Sequence, residues 1–433
     1  MSTSRFFNSK IKKRFNIFFG GSTVATIARS SGFLRRSAKK ISPIDFVMGF
    51  VLSCSQMQNT FSQWAFHISQ LSGTPVSKQA VFDRLGPSSV AFAKALLEHV
   101  LLQGIFYRYR RPSNLFSHFK RVILQDSTTL HLPQKLSEVF RGNFSKGKQK
   151  AVARIQAFID ICNMQFLHFS LGSFTDNDQS ASQQILEKIS AGELLIRDLG
   201  YFVLEVFEKL TGKGAFFLSR LRFGLNMYDC NGKQLHLKDL LKSRSKRDMW
   251  LMIGKQKNVK VRMIMIPLPK QLAAQRIRKA KQDRDRRLNH SQDYYRWLEY
   301  TVLITNVGEE TWTAAQADQA YRVRWQIEIV FKSWKSGFHL QQLLHNGCTN
   351  EKRISTNVYL LLMFMCLFMQ KIFLPVIRYA KGTISLIKCV QLFVLNMKEL
   401  IAIGSKQCRD VIDKYCKYEK RNHRINLNQL FSD

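Results

Sequence analysis

Residues 194–210, LLIRDLGYFVLEVFEKL, decide the fold class. Leu194-Leu195-Ile196 is a short apolar run that closes on an acid, Asp198, before the sharp turn Leu199-Gly200-Tyr201. Phe202 to Leu210 then carries helical spacing, and Phe216-Phe217-Leu218 reads as the next strand. Upstream, Val122-Ile123-Leu124 is a similar strand ending at Asp126. Ile155, Ala157, Ile159 and Ile161 alternate with Gln156, Phe158 and Asp160, the period of a half-buried strand. Asn163-Met164 turns the chain into a third strand, Phe166–Leu171, and a helix from Asp178 to Ile189 follows, with Asp178 as its N-cap. Asp160 is expected in a hairpin or facing solvent. Three hairpin-connected strands followed by β-α-β make a mixed sheet of five strands, so the class is α/β.

Outward from this centre the texture changes. Residues 1–42 form a basic N-terminal segment with ten Lys/Arg and no acid. Residues 43–115 are helical and amphipathic; Phe61–Gln70, the turn at Leu71-Ser72-Gly73-Thr74, and Pro75–Leu85 read as helix, turn, helix. Ser77, Lys78, Gln79 and Arg84 would lie on the exposed part of the second helix. Such a pair is either a DNA-reading helix-turn-helix or a plain helical hairpin. Residues 116–222 hold the five strands, and 223–308 form a basic, strand-rich insertion. Within it Lys260 and Arg262 alternate with Val259, Val261 and Met263, and Lys270 to His290 carries eight Lys/Arg against Asp283 and Asp285, which points to phosphate contact. One long helix is predicted from Ala314 to His339, within 309–345; residues 346–433 are apolar helix followed by a basic tail, Lys406 to Arg424.

The formal charge is +37, from 67 Lys/Arg and 30 Asp/Glu, and 45% of residues are hydrophobic. A real core excludes a purely disordered basic tail, and the charge calls for an anionic partner such as nucleic acid or an acidic surface. Eight scattered cysteines without a CxxC pair argue for reduced thiols and against zinc or a disulfide scaffold; Cys162 and Cys366 read as small core residues. The longest apolar run, Val358 to Met369, is twelve residues, short of the ~20 that span a bilayer, so it reads as a buried helix of a soluble protein. No Walker-type GxxxxGK[ST] and no HExxH is present.

The chemistry lies in Tyr321-Arg322-Val323-Arg324-Trp325-Gln326-Ile327-Glu328 and on to Lys335. On one straight helix Tyr321, Arg324, Glu328 and Lys335 fall within about 60° of one another, with Lys332 on the same stripe. By spacing alone this is an ion-pair ladder or the wall of an active site. Asp126 and Asp198, each closing a strand, favour the second, because strand ends are where side chains converge in α/β sheets. Two Asp and one Glu offer hard oxygen donors suited to Mg²⁺ or Mn²⁺.

The spacing Y-(x)2-R-(x)3-E-(x)6-K, with Asp126 in LQDSTTLHLP and Asp198 in LLIRDLGYF, resembles the DDE transposases of the bacterial insertion-sequence-four family. The resemblance covers roughly Pro43 to Leu340. It implies a ribonuclease-H-like core interrupted by a β-rich insertion, and the separations of 72 and 130 residues between successive acids leave room for one. It also implies two Mg²⁺ or Mn²⁺ ions on Asp126, Asp198 and Glu328. Tyr321, Arg324 and Lys335, and also Arg220 in FFLSRLR, would contact DNA phosphates. Further implications are double-stranded DNA as partner, a homodimer joining two transposon ends, no membrane, and a cytoplasmic, nucleoid-associated location. Trp297 and Tyr300 are candidates for the aromatic residue that holds a flipped base in hairpin-forming relatives, or for the core. Two other readings stand beside this one: a basic DNA-binding regulator without catalysis, and a ribonuclease-H-type nuclease that does not join strands.

Overall fold

The computed structural model describes residues 22–37, 40–54, 60–104, 115–145, 147–242, 244–255, 259–282, 290–342, 349–380, 382–403 and 405–418, with 12, 13, 16, 17 and 19. Part of the basic N-terminal segment, the stretch around Arg111-Pro112, residues 283–289 of the basic block and the end of the C-terminal tail lie outside the described residues. The fold is mixed α/β. Its strands are β1 (Val122–Leu132), β2 (Arg141–Ser145), β3 (Lys148–Asp160), β4 (Gln165–Ser173), β5 (Leu194–Arg197), β6 (Phe216–Arg220), β7 (Met227–Tyr228), β8 (Gln234–Leu235), β9 (Arg247–Ile253), β10 (Val259–Pro267) and β11 (Tyr300–Thr305). The chain divides into two compact units.

The first unit comprises Met1–Arg111, Ser127–Asp176 and Gln326–Asn428. Its helices start where the chemistry of capping requires. Ser42 accepts the Asp45 amide at 3.2 Å with Pro43 at the first helical position, and Thr60 with Gln63 forms a reciprocal capping box on Phe61–Ser72. Gly73, in the left-handed region at φ +71°, ends that helix. The helix Pro43–Ser53 docks on it through Gly49, where a Cβ would stand 2.6 Å from Ile68 Cγ1. The Trp64 indole, between Phe46 and Phe50, donates to the Phe46 carbonyl at 2.8 Å. The second helix of the expected helix-turn-helix is only Lys78–Phe82. Ser77, Lys78 and Gln79 are exposed, but Arg84 is half-buried over the Phe33 ring.

β3 pairs with β2 and, through Ile155↔Leu171 and Ala157↔Phe169, with β4. Its expected alternation is absent: Gln156, Phe158 and Asp160 are as buried as their neighbours because the strand is covered on both faces. Asp160 is in the hairpin but not in solvent; at 1% exposure it accepts from the Cys162 amide and the Asn163 side chain, closing a turn in which Met164 takes φ +50°. The apolar run is a buried helix, Glu351–Phe368, with Cys366 in the core. The continuous helical stretch Glu351–Ile377 is, among the described residues, the one long and apolar enough to cross a membrane, and 89% of its apolar window is buried within the protein.

The second unit comprises Pro112–Asp126, Asn177–Trp325 and Gln429–Asp433. Its strands run β1-β5-β6-β11-β10-β9-β7-β8. β1, β5 and β6 are parallel, in register Val122↔Leu194 and Leu194↔Phe216, and their unbroken apolar runs reflect burial on both faces. The expected sheet of five strands is exceeded because β11 pairs antiparallel with β6, Leu303 opposite Arg220, so the insertion extends the sheet instead of standing apart from it. Arg262 is not on an exposed edge; it is 1% exposed and forms a two-pronged pair with Asp248, both contacts 2.7 Å. The helix expected from Asp178 is capped by Asn177, not Asp178, and after Ala181 tightens into a 3₁₀ turn, Ser182–Glu187.

Two expectations near the motifs change. β1 does not stop at Asp126 but continues to Leu132; only its parallel pairing with β5 ends there, at Gln125↔Arg197. The single helix Ala314–His339 is two, Ala314–Arg322 and Trp325–Ser336. Between them the amides of Val323 and Arg324 bond three residues back, to Ala320 and Tyr321, a tighter wind than an α-helix. The straight-helix projection of the polar stripe therefore does not hold across Val323.

Candidate active site

The register Gln125↔Arg197 fixes the site, because the next residue on each parallel strand is an aspartate. Asp126 and Asp198 therefore emerge side by side, on the same face of neighbouring strands. Arg324 lies against both: Nη1 is 3.9 Å from Asp126 Oδ2, and Nε is 3.9 Å from Asp198 Oδ1. The guanidinium offsets the repulsion that two adjacent carboxylates would otherwise feel. It also rests over the exposed ring of Trp325, 5.4 Å from its centre. Tyr321 Oη donates to Asp198 Oδ1 at 3.3 Å. Burial, reinforced by the Asp198 charge, raises the Tyr321 phenol far above its usual range, against the opposing pull of Arg220 and Arg324. Tyr321 is thus a fixed hydrogen-bond donor.

A cationic surround completes this unit's part. Arg220 closes β6, half-buried, within electrostatic reach of Tyr321. Arg276, on the helix Lys270–Lys281, has its pKa lowered by burial and by Arg220, and anchors by donating to the Tyr300 carbonyl at 3.1 Å. Arg276 was legible in the sequence only as one cation among eight. Trp297 and Tyr300 are both buried, Trp297 edge-on to Phe223.

Beneath the aspartates is a second polar layer that the sequence did not reveal. Arg197, 0% exposed, donates from Nη1 to Ser182 Oγ at 2.7 Å and lies 4.9 Å from the Phe207 ring centre. Burial brings its pKa down to about 9, so it stays charged at neutral pH. Ser182 Oγ in turn donates to the Tyr201 carbonyl at 3.0 Å, and Gln125 Nε2 to the Ala181 carbonyl at 3.2 Å. The residues directly before the two aspartates are thus tied to one helical segment, and the turn after Asp198 is tied to it as well. Replacing Arg197 with Ala is expected to cost about 2 kcal/mol in a urea melt, from the cavity left in the layer and the lost Ser182 contact; an unchanged midpoint would show that the layer holds nothing.

Glu328 and Lys335 are on the helix Trp325–Ser336, which from Gln326 onward belongs to the first unit. Glu328 is half-buried, and Lys332 and Lys335 are exposed. The structure thus brings Asp126, Asp198, Tyr321, Arg324 and Arg220 together in the second unit. No group of three or more His, Cys, Asp or Glu side chains close enough to hold a metal occurs among the described residues. The chemistry of the Asp126–Asp198 pair nevertheless fits a hard divalent cation: only carboxylate oxygens, from rigid strands, with a positive group already drawn to both.

The transposase DDE domain profile matches residues 117–369, more than half of the chain. The chain belongs to the DDE transposase family. Relatives of this transposase belong to bacterial insertion sequences. It is 28% identical over 319 residues to the transposase of IS231F from Bacillus thuringiensis subsp. israelensis, covering 68% of this chain and 66% of that one. It is 25% identical over 363 residues to the transposase of IS1151 from Clostridium perfringens, covering 78% and 75%. Among solved structures, a piggyBac transposase synaptic complex with hairpin DNA aligns over 94% of this chain and 86% of that one, at 9% identity and a TM-score of 0.43.

Proposed function

We propose that this transposase cuts transposon ends and joins them to target DNA, with Asp126, Asp198 and Glu328 holding two Mg²⁺ or Mn²⁺ ions. The observation that carries the reading is the register-paired Asp126 and Asp198 facing one guanidinium. Bound divalent ions would activate the attacking water or 3′-hydroxyl and stabilise the leaving oxygen. The protein's own part is positioning. Strands β1 and β5 fix the two carboxylates, and Tyr321 orients Asp198 through its hydrogen bond. Arg324, Arg220, Arg276 and Lys335 take phosphate oxygens of the bound strand. The succession of β1, a β3–β4 hairpin, then parallel β5 and β6 supports a ribonuclease-H-like core. The helices of 43–115 are read as a DNA-binding region, and a homodimer acting on DNA in the cytoplasm accommodates two ends. The charge of +37 predicts DNA affinity that falls steeply with salt.

The test uses the full-length protein, a supercoiled plasmid carrying the DNA that flanks the coding sequence, and pre-cut ends of the same sequence. Nicking and end joining are expected with Mg²⁺ or Mn²⁺, and both should disappear when EDTA removes the ion. DNA binding without metal-dependent nicking would instead support the regulator reading. Nicking without joining would support a nuclease.

A further inference from the structure

The β2–β3 hairpin carries a feature that the active site does not use. Phe144 is 71% exposed, the most exposed aromatic side chain among the described residues. Arg141, Lys148 and Lys150 around it are exposed, and no acid occurs in the sequence between Glu138 and Asp160. A single exposed apolar residue is unremarkable by itself. An exposed aromatic ring in an all-cationic hairpin has the complementarity of nucleic acid: cations for phosphates, a flat apolar face for bases.

The hairpin is built to hold that ring out. Ser145↔Lys148 pair across a tight turn in which Gly147 takes φ +72°. The pairing shifts between Arg141 and Phe144, the kind of irregularity that re-aims a side chain. At the base, a Cβ on Gly142 would stand 2.6 Å from Val152 Cγ2, so the strands meet as closely as a glycine allows. Ser173 Oγ donates to the Arg141 carbonyl at 2.8 Å, and the Gln149 side chain donates to the Gly142 carbonyl. Gln134 in turn donates to the Gln149 carbonyl, and Phe140 and Leu136 are buried underneath. The ring is thus displayed from a base with little freedom, which lowers the entropy cost of using it.

We infer that residues 141–150 form a DNA-contacting finger in which Phe144 stacks on a base at an unstacked or frayed step, while Arg141, Lys148 and Lys150 bind the flanking phosphates. The inference rests on DNA as the substrate of this chain and adds a contact outside the acidic site. Opening a base step costs least where pairing has been lost, so the finger should prefer forked over fully paired DNA.

The experiment measures binding of the full-length protein to a 30-base-pair duplex and to the same duplex with an unpaired fork, across a salt series. Phe144→Ala should weaken fork binding about tenfold and paired-duplex binding less than twofold, with Phe144→Trp restoring it. Lys148→Ala/Lys150→Ala should lower the salt slope by about 2 on both DNAs without changing the fork preference. Because Phe144 is on the surface, the Phe144→Ala protein should melt at the wild-type temperature. Equal fork binding by wild type and Phe144→Ala overturns the proposal. So does a Phe144→Ala protein that loses self-association instead of fork affinity, which would make the ring a contact between copies. If the wild-type protein binds neither DNA, the failure is of the transposase reading itself, and the two cases are distinguished.

Discussion

Asp126→Ala and Asp198→Ala are each expected to lower strand cleavage by on the order of 10³-fold or more, while affinity for the DNA ends should stay within about twofold. The separation follows from where the residues are. Asp126 is on β1 and Asp198 directly follows β5, each one position past the last paired residues of the two parallel strands. Their ion pairs to Arg324 are long, 3.9 Å, and the Asp198 side chain is 43% exposed, so the Asp198 pair is worth no more than about 1 kcal/mol of stability. Asp198→Asn is the more informative variant, because it keeps the volume and an acceptor for Tyr321 Oη but removes the charge. It should be as inactive as alanine if the carboxylate serves as a metal ligand. Cleavage by either variant near the wild-type rate would remove that aspartate from the site. Glu328→Ala should behave in the same way, and an active Glu328→Ala protein would reassign the third acid.

Asp248→Ala is expected to have the largest effect on stability, a loss of about 3 kcal/mol read from the denaturant midpoint. Arg262, at 1% exposure, has Nε and Nη2 each 2.7 Å from an Asp248 oxygen and Nη1 2.7 Å from the Trp312 carbonyl. Removing Asp248 leaves a buried guanidinium with its carboxylate gone. Glu309, 3.9 Å away and 61% exposed, is placed to compensate only weakly. The reverse change, Arg262→Met, should cost less, because Asp248 is partly exposed and can turn to water while the methionine fills apolar space. A shift below about 0.5 kcal/mol for Asp248→Ala would mean that Glu309 has taken over.

Much of the core was legible because its signals are local. Val122-Ile123-Leu124 and Leu194-Leu195-Ile196 read as strands because strands buried on both faces must be apolar throughout, and β5 ends one residue before its aspartate as read. Helix starts at Ser42 and Thr60 rest on caps within three residues. The reading failed where the environment came from distant chain. Asp160, Arg262 and Arg276 looked like surface residues because polarity was the only local information. Each is buried or half-buried by contacts from other elements, and Arg262 is neutralised by a residue 14 positions away on the next strand. The break at Val323-Arg324 was missed because nothing in the residue types forbids a straight helix there.

The sequence by itself determined the α/β class, the basic character and the order of the Asp, Asp, Tyr, Arg, Glu and Lys motif residues, since composition, periodicity and spacing are properties of neighbours along the chain. Tertiary structure alone decided that Asp126 and Asp198 stand side by side over the Gln125–Arg197 layer, that Arg324 faces both, and that the insertion continues the sheet through β11. Those facts depend on strand register across 72 residues of intervening chain, and register is set by which buried faces and hydrogen-bond ladders fit together in space.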